Sequence, residues 1–463
     1  MRVAVVIPAA LLAAAVAARL LLVHHPLAIA ADLAQPLAVV TYWNAFGGWL
    51  FAILAAAIAA ASTSYVQLLR TAELSVRKTA LVCAFSCAAA LSFPVVFSSD
   101  VYAYAGYGDM ALHGLNPYAH AFVQHGDALL RAVIWQWGNP PPVCVYGEVF
   151  VRAAEAIVAA TLPLGPAAPL WALRLLACAA LVACAPLAHA AFAPLGQRVR
   201  TAAAIGIALN PVAIVAAASG HNDVLAIAAV LGAFAAAARS RWPLVPAAMM
   251  VGALIKAPAF AAAAGLTYFS PRDVPLRRAV AIAAVCTVLA LAASLPLLQG
   301  VRDHVLEHAQ LSPQFSLSYV LAFAMPAETA FGIVLAGCAL IVVAGAVRLL
   351  RGDPQGAAVA AAALWLAIPN PHPWYGLWLL PAAFLGRSRL LRWSTIATSL
   401  TVALRDLPDA TWRAFPPAAA IAVTAALLAP GVVTLTACTI DLVRRNRPAF
   451  RRMVLDFAPL RSR

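Results

Sequence analysis

A chain of 463 residues in which 64% are hydrophobic and only 10% are charged, with a mean hydropathy of +0.89, is not a soluble globular protein, where about a quarter of residues carry charge. Its 31 Lys and Arg against 17 Asp and Glu, a net +14, would suggest nucleic acid in a soluble domain; on so apolar a chain the excess marks cytoplasmic loops, and no nucleic-acid partner is expected. At about 20 apolar residues per crossing, the length predicts an all-α polytopic membrane helix bundle of about eleven to fourteen transmembrane helices, read as a single integral membrane domain over 1–463.

Met1-Arg2 and the apolar run that follows to Val23 have the look of a secretory signal, and Ala28-Ile29-Ala30 mimics a cleavage site. The run is too long for an ordinary signal core, so it is read as a retained first helix. Further apolar runs fall at 47–68, 79–97, 168–192, 202–218, 222–238, 243–268, 279–298, 328–349, 356–369, 374–386, 392–404 and 417–442. Arg70, Arg77 and Lys78 separate the second and third runs, and Arg348/Arg351, Arg387/Arg389/Arg392 and Arg444/Arg445/Arg447 follow later ones. The positive-inside rule then places both termini in the cytoplasm of a cell-membrane protein.

That orientation puts 98–147, the longest polar interruption, on the far side as the first large extracytoplasmic loop, together with 299–327 and the segment around His372. The middle of the chain admits two readings, because Arg239/Arg241 and Arg272/Arg277/Arg278 cannot both be inside if every run between them crosses once. Either 148–165 and 243–268 are partial or re-entrant, or His221-Asn222-Asp223 faces the cytoplasm. All cysteines but Cys144 lie in apolar runs, with no disulfide framework and no Cys-x-x-Cys pair.

With so few carboxylates, Asp100 stands out at the start of Asp100-Val101-Tyr102-Ala103-Tyr104-Ala105-Gly106-Tyr107. If this stretch is helical, Asp100, Tyr104 and Tyr107 share a face at i, i+4 and i+7. A carboxylate among tyrosines suits a sugar, because Tyr offers both an apolar ring and a hydroxyl; an N-cap within an interfacial Tyr belt is the structural alternative. His113-Gly114-Leu115-Asn116-Pro117-Tyr118 reads as a turn. Trp135, Trp137 and Asn139-Pro140-Pro141-Pro142 extend an irregular segment that ends at Tyr146-Gly147-Glu148.

Ionisable groups inside apolar runs are costly unless paired or hydrated. Ser219-Gly220-His221-Asn222-Asp223, just beyond a break at Asn210-Pro211, and Lys256 within Gly252-Ala253-Leu254-Ile255-Lys256-Ala257-Pro258 are such places. An anionic partner is expected for Lys256. Three prolines in Pro369-Asn370-Pro371-His372-Pro373-Trp374-Tyr375-Gly376-Leu377-Trp378 stop a helix at a membrane surface and leave His372, Trp374 and Tyr375 at the break.

Taken in order, Ser99-Asp100-Val101-Tyr102-Ala103-Tyr104, Gly114-Leu115-Asn116-Pro117-Tyr118, Tyr146-Gly147, Asn210-Pro211, Gly220-His221-Asn222-Asp223, Lys256 and His372-Pro373-Trp374-Tyr375 resemble the bacterial polyprenyl-phosphate-mannose-dependent mannosyltransferases. These include the α-(1→6)-mannopyranosyltransferases of the GT-C fold. The resemblance spans roughly 75–385 and departs from the family at Glu148, where Tyr-Gly-Pro is usual. It implies a GT-C-like glycosyltransferase that moves a sugar, mannose above all, with inversion from a polyprenyl-phosphate donor to a hydroxyl of a cell-envelope glycan or lipid acceptor.

Asp100 would be the base that takes the hydroxyl proton. Tyr102, Tyr104, Asn116, Tyr118, Tyr146, His221, Asn222, Asp223, Lys256, His372, Trp374 and Tyr375 would bind substrate. Lys256, His221 and His372 are the groups available to the leaving phosphate, and neither a metal nor another cofactor is expected. Two competing readings stay open here: a secondary transporter whose broken helices at Gly220 and Lys256 form a midplane site, and a non-catalytic scaffold in envelope assembly.

Overall fold

The structure is a computed structural model that describes residues 2–23, 45–93, 100–119, 143–165, 167–257, 259, 314–351, 353, 355–385, 389–405, 421–433, 435–437 and 440. Among these every regular element is a helix, as hydrocarbon requires of a backbone that must satisfy its own polar groups. Four described helices are long and apolar enough to cross a membrane, and a bent pair makes a possible fifth. Several other expected runs form shorter apolar helices, and 279–298 lies outside the described residues, as do Trp135, Trp137, 139–142, Arg272, Arg277 and Arg278.

Helix α1 (Arg2–Val23) packs against both α2 (Ala45–Thr71) and α3 (Val76–Leu91). Ile7, Leu11 and Ala18 of α1 lie in the core. Ser75 caps α3 by accepting from the Lys78 N–H. Then come α4 (Asp100–Leu112) and α5 (Glu148–Thr161), which pack together. Phe150, Val151, Ala154 and Val158 of α5 turn inward, while Arg152 holds Glu148 and Glu155 on the outside, each at 2.8 Å. This two-sided character lays the apolar face of α5 against α4.

The centre of the bundle is α6 (Ala168–Ala191), α7 (Gln197–Ala208), α8 (Pro211–Ala218), α9 (Asp223–Ala238) and α10 (Leu244–Ile255). α7 and α8 are one helix bent by 44° at Asn210-Pro211. Pro211 has no N–H to give, and the Asn210 side chain accepts from the Val212 and Ala213 N–H groups to restart the helix. Alanines fill the core here, including Ala177, Ala185, Ala188, Ala203, Ala217 and Ala233, because small residues let backbones approach where lipid offers no hydrophobic drive. Large apolar side chains such as Phe85 and Leu340 point outward instead.

Two hydrogen-bond sets fix the ends of the bundle. Arg198 donates to the Arg70 carbonyl (3.4 Å), joining the end of α2 to the start of α7. The buried Arg174 donates to the carbonyls of Leu91, Phe93 and Ala218, joining the ends of α3 and α8 near the start of α6. Following the chain through its short turns, Arg239/Arg241 return to the Arg70 end. Asp100, His221 and Lys256 gather at the Arg174 end.

The remaining described elements are α11 (Leu317–Leu321), α12 (Ala327–Leu350) and α13 (Gln355–Ala367), a 3-10 segment Pro373–Leu379, α14 (Leu380–Leu385) and α15 (Arg389–Thr401). The 3-10 segment packs against α8 and α9, which carries the proline-rich break to the Arg174 end.

Candidate active site

α4 begins at Asp100, and the expected helical face forms: Tyr104, one turn on, donates its hydroxyl to Asp100 Oδ2 at 3.3 Å and lies 3.2 Å from Asn222 Oδ1. The irregular segment 143–147 adds Tyr146, whose hydroxyl lies 3.4 Å from the same Asp100 oxygen. Its ring meets Tyr104 edge-on at 4.9 Å and Tyr107 at 6.2 Å. Gly147 lets this segment in: its N–H donates to the Ile255 carbonyl at 3.2 Å, and a Cβ there would collide with the Leu254 backbone. Asp100 is 3% exposed. Burial and the negative charge of Asp100 both push the Tyr146 hydroxyl well above its ordinary range, so it stays a proton donor.

The turn between α8 and α9 supplies His221, Asn222 and Asp223, all fully buried. Gly220 makes the turn at φ +89°, a left-handed conformation that side chains rarely adopt. His221 Nδ1 lies 3.6 Å from Asp100 Oδ2, and its ring stacks on Trp374 with centroids 4.0 Å apart and planes 19° apart. Burial, and then the nearby charge of Lys256, push its imidazole well below the ordinary range, so it is neutral. His372 stacks on Trp374 at 4.6 Å, placing the indole in contact with two imidazoles.

Lys256, the residue after α10, meets Asp223 Oδ2 at 2.7 Å. The other oxygen, Asp223 Oδ1, accepts from Trp378 Nε1 at 2.7 Å. The ammonium also lies 5.7 Å from the Tyr146 ring centre and 5.4 Å from that of Tyr375, within cation–π range. Tyr146 thus touches both charged centres, Asp100 through its hydroxyl and Lys256 through its ring. Lys256, Tyr375 and Trp378 also form the polar edge of a cavity of about 440 Å³. Its other walls are apolar, from Ile227, Val230 and Phe234 of α9, Ala361, Leu364 and Trp365 of α13, and Leu385 of α14.

Most expected site residues therefore converge. Tyr102 is buried in the aromatic packing of α4. Asn116 and Tyr118 lie in a turn: exposed Asn116 accepts from the Tyr118 N–H at 3.0 Å, and the Pro117 carbonyl accepts from Cys144 N–H at 2.8 Å, tying the 116–118 turn to the 143–147 segment. Among the described residues, no three His, Cys, Asp or Glu side chains gather as a metal-ligand set.

Two residues of the site region were not singled out from the sequence. Trp378 follows Trp374 by four residues, a helical spacing visible in the proline-rich segment. Arg174 is a cation in an apolar run, the same signal that marks Lys256.

Residues 1–271 match the family model described as Alpha-(1->6)-mannopyranosyltransferase, N-terminal domain. No curated protein and no solved structure matches the chain.

Proposed function

The chain belongs to the alpha-(1->6)-mannopyranosyltransferase family and is a mannosyltransferase, and from that premise we propose that it moves mannose, with inversion, from a polyprenyl-phosphate donor to a hydroxyl of a cell-envelope glycan or lipid acceptor on the extracytoplasmic side. The observation that carries this reading is the apolar cavity that ends on Lys256. Walls of Ile, Val, Phe, Leu and Trp suit an isoprenoid tail, and the ammonium at the polar edge suits the phosphate that follows it. Tyr146, which touches both Lys256 and Asp100, spans the interval that the sugar would occupy.

A hydroxyl is a weak nucleophile, so its proton is taken at the Asp100 end as the new bond forms. The phosphate leaves as a stabilised anion and needs no acid to protonate it, unlike the leaving group of a glycosidase with its carboxylate pair. Lys256 stabilises the charge that develops there. Tyr375 offers the sugar an aromatic ring and a hydroxyl together.

The test is transfer by purified protein in nanodiscs, with polyprenyl-phosphate mannose, polyprenyl-phosphate glucose and a nucleotide-linked mannose offered separately, and the product anomer read by NMR. Transfer from the lipid-linked mannose with inverted configuration is expected. Use of the nucleotide sugar in its place, or retention, overturns the reading. The transporter alternative draws no support from the family match or the geometry, and the breaks at Gly220 and Lys256 have their own role in assembling the Asp100 and Asp223 clusters.

A further inference from the structure

Transfer requires one atom at the Asp100 end to receive the acceptor proton. Asp100 Oδ2 is already approached by the Tyr104 hydroxyl at 3.3 Å, the Tyr146 hydroxyl at 3.4 Å and His221 Nδ1 at 3.6 Å. Hydroxyl donors directed at a carboxylate stabilise its charge and make it a weaker base. His221 shows the opposite condition. It is 0% exposed, and among the described residues neither ring nitrogen has a hydrogen-bond partner. A buried polar side chain left in this state is uncommon and calls for a reason. A catalytic group whose partner arrives with the substrate supplies one, since such contacts are often long before substrate binds.

We propose, resting on the glycosyl-transfer reading above, that His221 Nε2 is the atom that takes the acceptor proton, and that Asp100 holds the imidazole through its Nδ1 hydrogen. Trp374, stacked on the ring at 4.0 Å, holds the ring plane, so that the Nε2 lone pair opposite Nδ1 has a fixed direction. A neutral imidazole with Nδ1–H toward a carboxylate is the tautomer that leaves Nε2 free to accept. In the reaction the acceptor O–H bond breaks and its proton passes to Nε2. The oxygen's electron pair forms the bond to the anomeric carbon, and the carbon–oxygen bond to phosphate breaks with its pair leaving on the phosphate. The imidazolium that results sits against Asp100, which balances its charge.

The first measurement does not depend on turnover: ¹⁵N NMR of histidine-labelled protein in nanodiscs, with His221 assigned by its loss in His221→Gln. The Nδ1–H tautomer is expected in the wild type, with a shift toward the other tautomer in Asp100→Asn; a wild-type Nε2–H tautomer overturns the proposal. The second is kinetic. His221→Gln should lower kcat by about 10²–10⁴ with donor KM within a few-fold, and the Asp100→Asn/His221→Gln double variant should be no slower than the slower single variant, as for residues that act as a unit. Added imidazole should restore part of the activity of His221→Ala and none of that of Asp100→Asn. Activity of His221→Gln within a few-fold of wild type, or losses that multiply in the double variant, overturn it. If polyprenyl-phosphate mannose is not the donor, wild-type protein is silent in that assay while the tautomer measurement still stands, so the two failures are told apart.

Discussion

Lys256 Nζ and Asp223 Oδ2 form a 2.7 Å ion pair between the residue that follows α10 and the first residue of α9, with the Asp223 side chain 0% exposed and that of Lys256 12% exposed. The lysine thus has a carboxylate partner within the protein, and its remaining hydrogens are what it can offer a phosphate. Removing one member of a buried pair strands the other, at about 3–5 kcal/mol. Lys256→Met should therefore lower thermal stability sharply, and Lys256→Met/Asp223→Asn should recover most of it, because the introduced amide oxygen would still accept from Trp378. Donor affinity should stay weak in both variants. Unfolding temperature and donor binding in nanodiscs check this, and unchanged donor binding in a folded Lys256→Met protein would remove the phosphate role.

Asp100→Asn keeps the shape of the side chain and its acceptor oxygen for Tyr104 and Tyr146 while losing the charge. Expression and unfolding temperature should remain near wild type, and kcat should fall by about 10²–10⁴. Activity within a few-fold of wild type would take Asp100 out of the chemistry.

Gly147→Ala should be destabilising by about 1–3 kcal/mol, the usual cost of forcing extra atoms into a close-packed contact, because the added Cβ meets the Leu254 backbone. As Tyr146 moves with its neighbour, kcat should drop along with stability. A thermal shift measured beside single-turnover kinetics separates this variant from a neutral one.

Ala361→Trp fills the apolar cavity from its α13 wall. Long-chain donors should lose affinity by tenfold or more, which corresponds to about 1.4 kcal/mol, whereas a short-chain phosphoryl mannose should be used nearly as well as by wild type. Equal effects on both donors would place the lipid tail elsewhere.

Asn116 is exposed on the loop at the Asp100 end, and Gln197 is exposed where α7 starts beside Arg70. In a background without native cysteines, Asn116→Cys should react with an impermeant thiol reagent on intact cells, and Gln197→Cys only after permeabilisation. The reverse pattern would put the site on the cytoplasmic side.

Composition alone determined that this chain is a membrane helix bundle, since 10% charged residues leave too few polar groups to cover a soluble domain. Local spacing determined the Asp100, Tyr104 and Tyr107 face, because the helical period fixes which neighbours along one helix point together. The buried charge at Lys256 was legible as a residue in need of an anion for the same elementary reason, the cost of an ammonium in hydrocarbon.

The identity of that anion, Asp223, and the approach of Tyr146 to Asp100 across 46 residues belong to tertiary structure. So do the stacking of Trp374 on His221 and the use of Asn116 to form a loop turn. In a soluble protein the polar and apolar faces of each helix announce which side packs inward. Here alanine lines both the core and much of the surface, so hydropathy cannot distinguish the faces. Only the close packing of those small side chains, with Arg174 tying the ends of α3 and α8 and Gly147 admitting a second backbone, decides which distant residues meet.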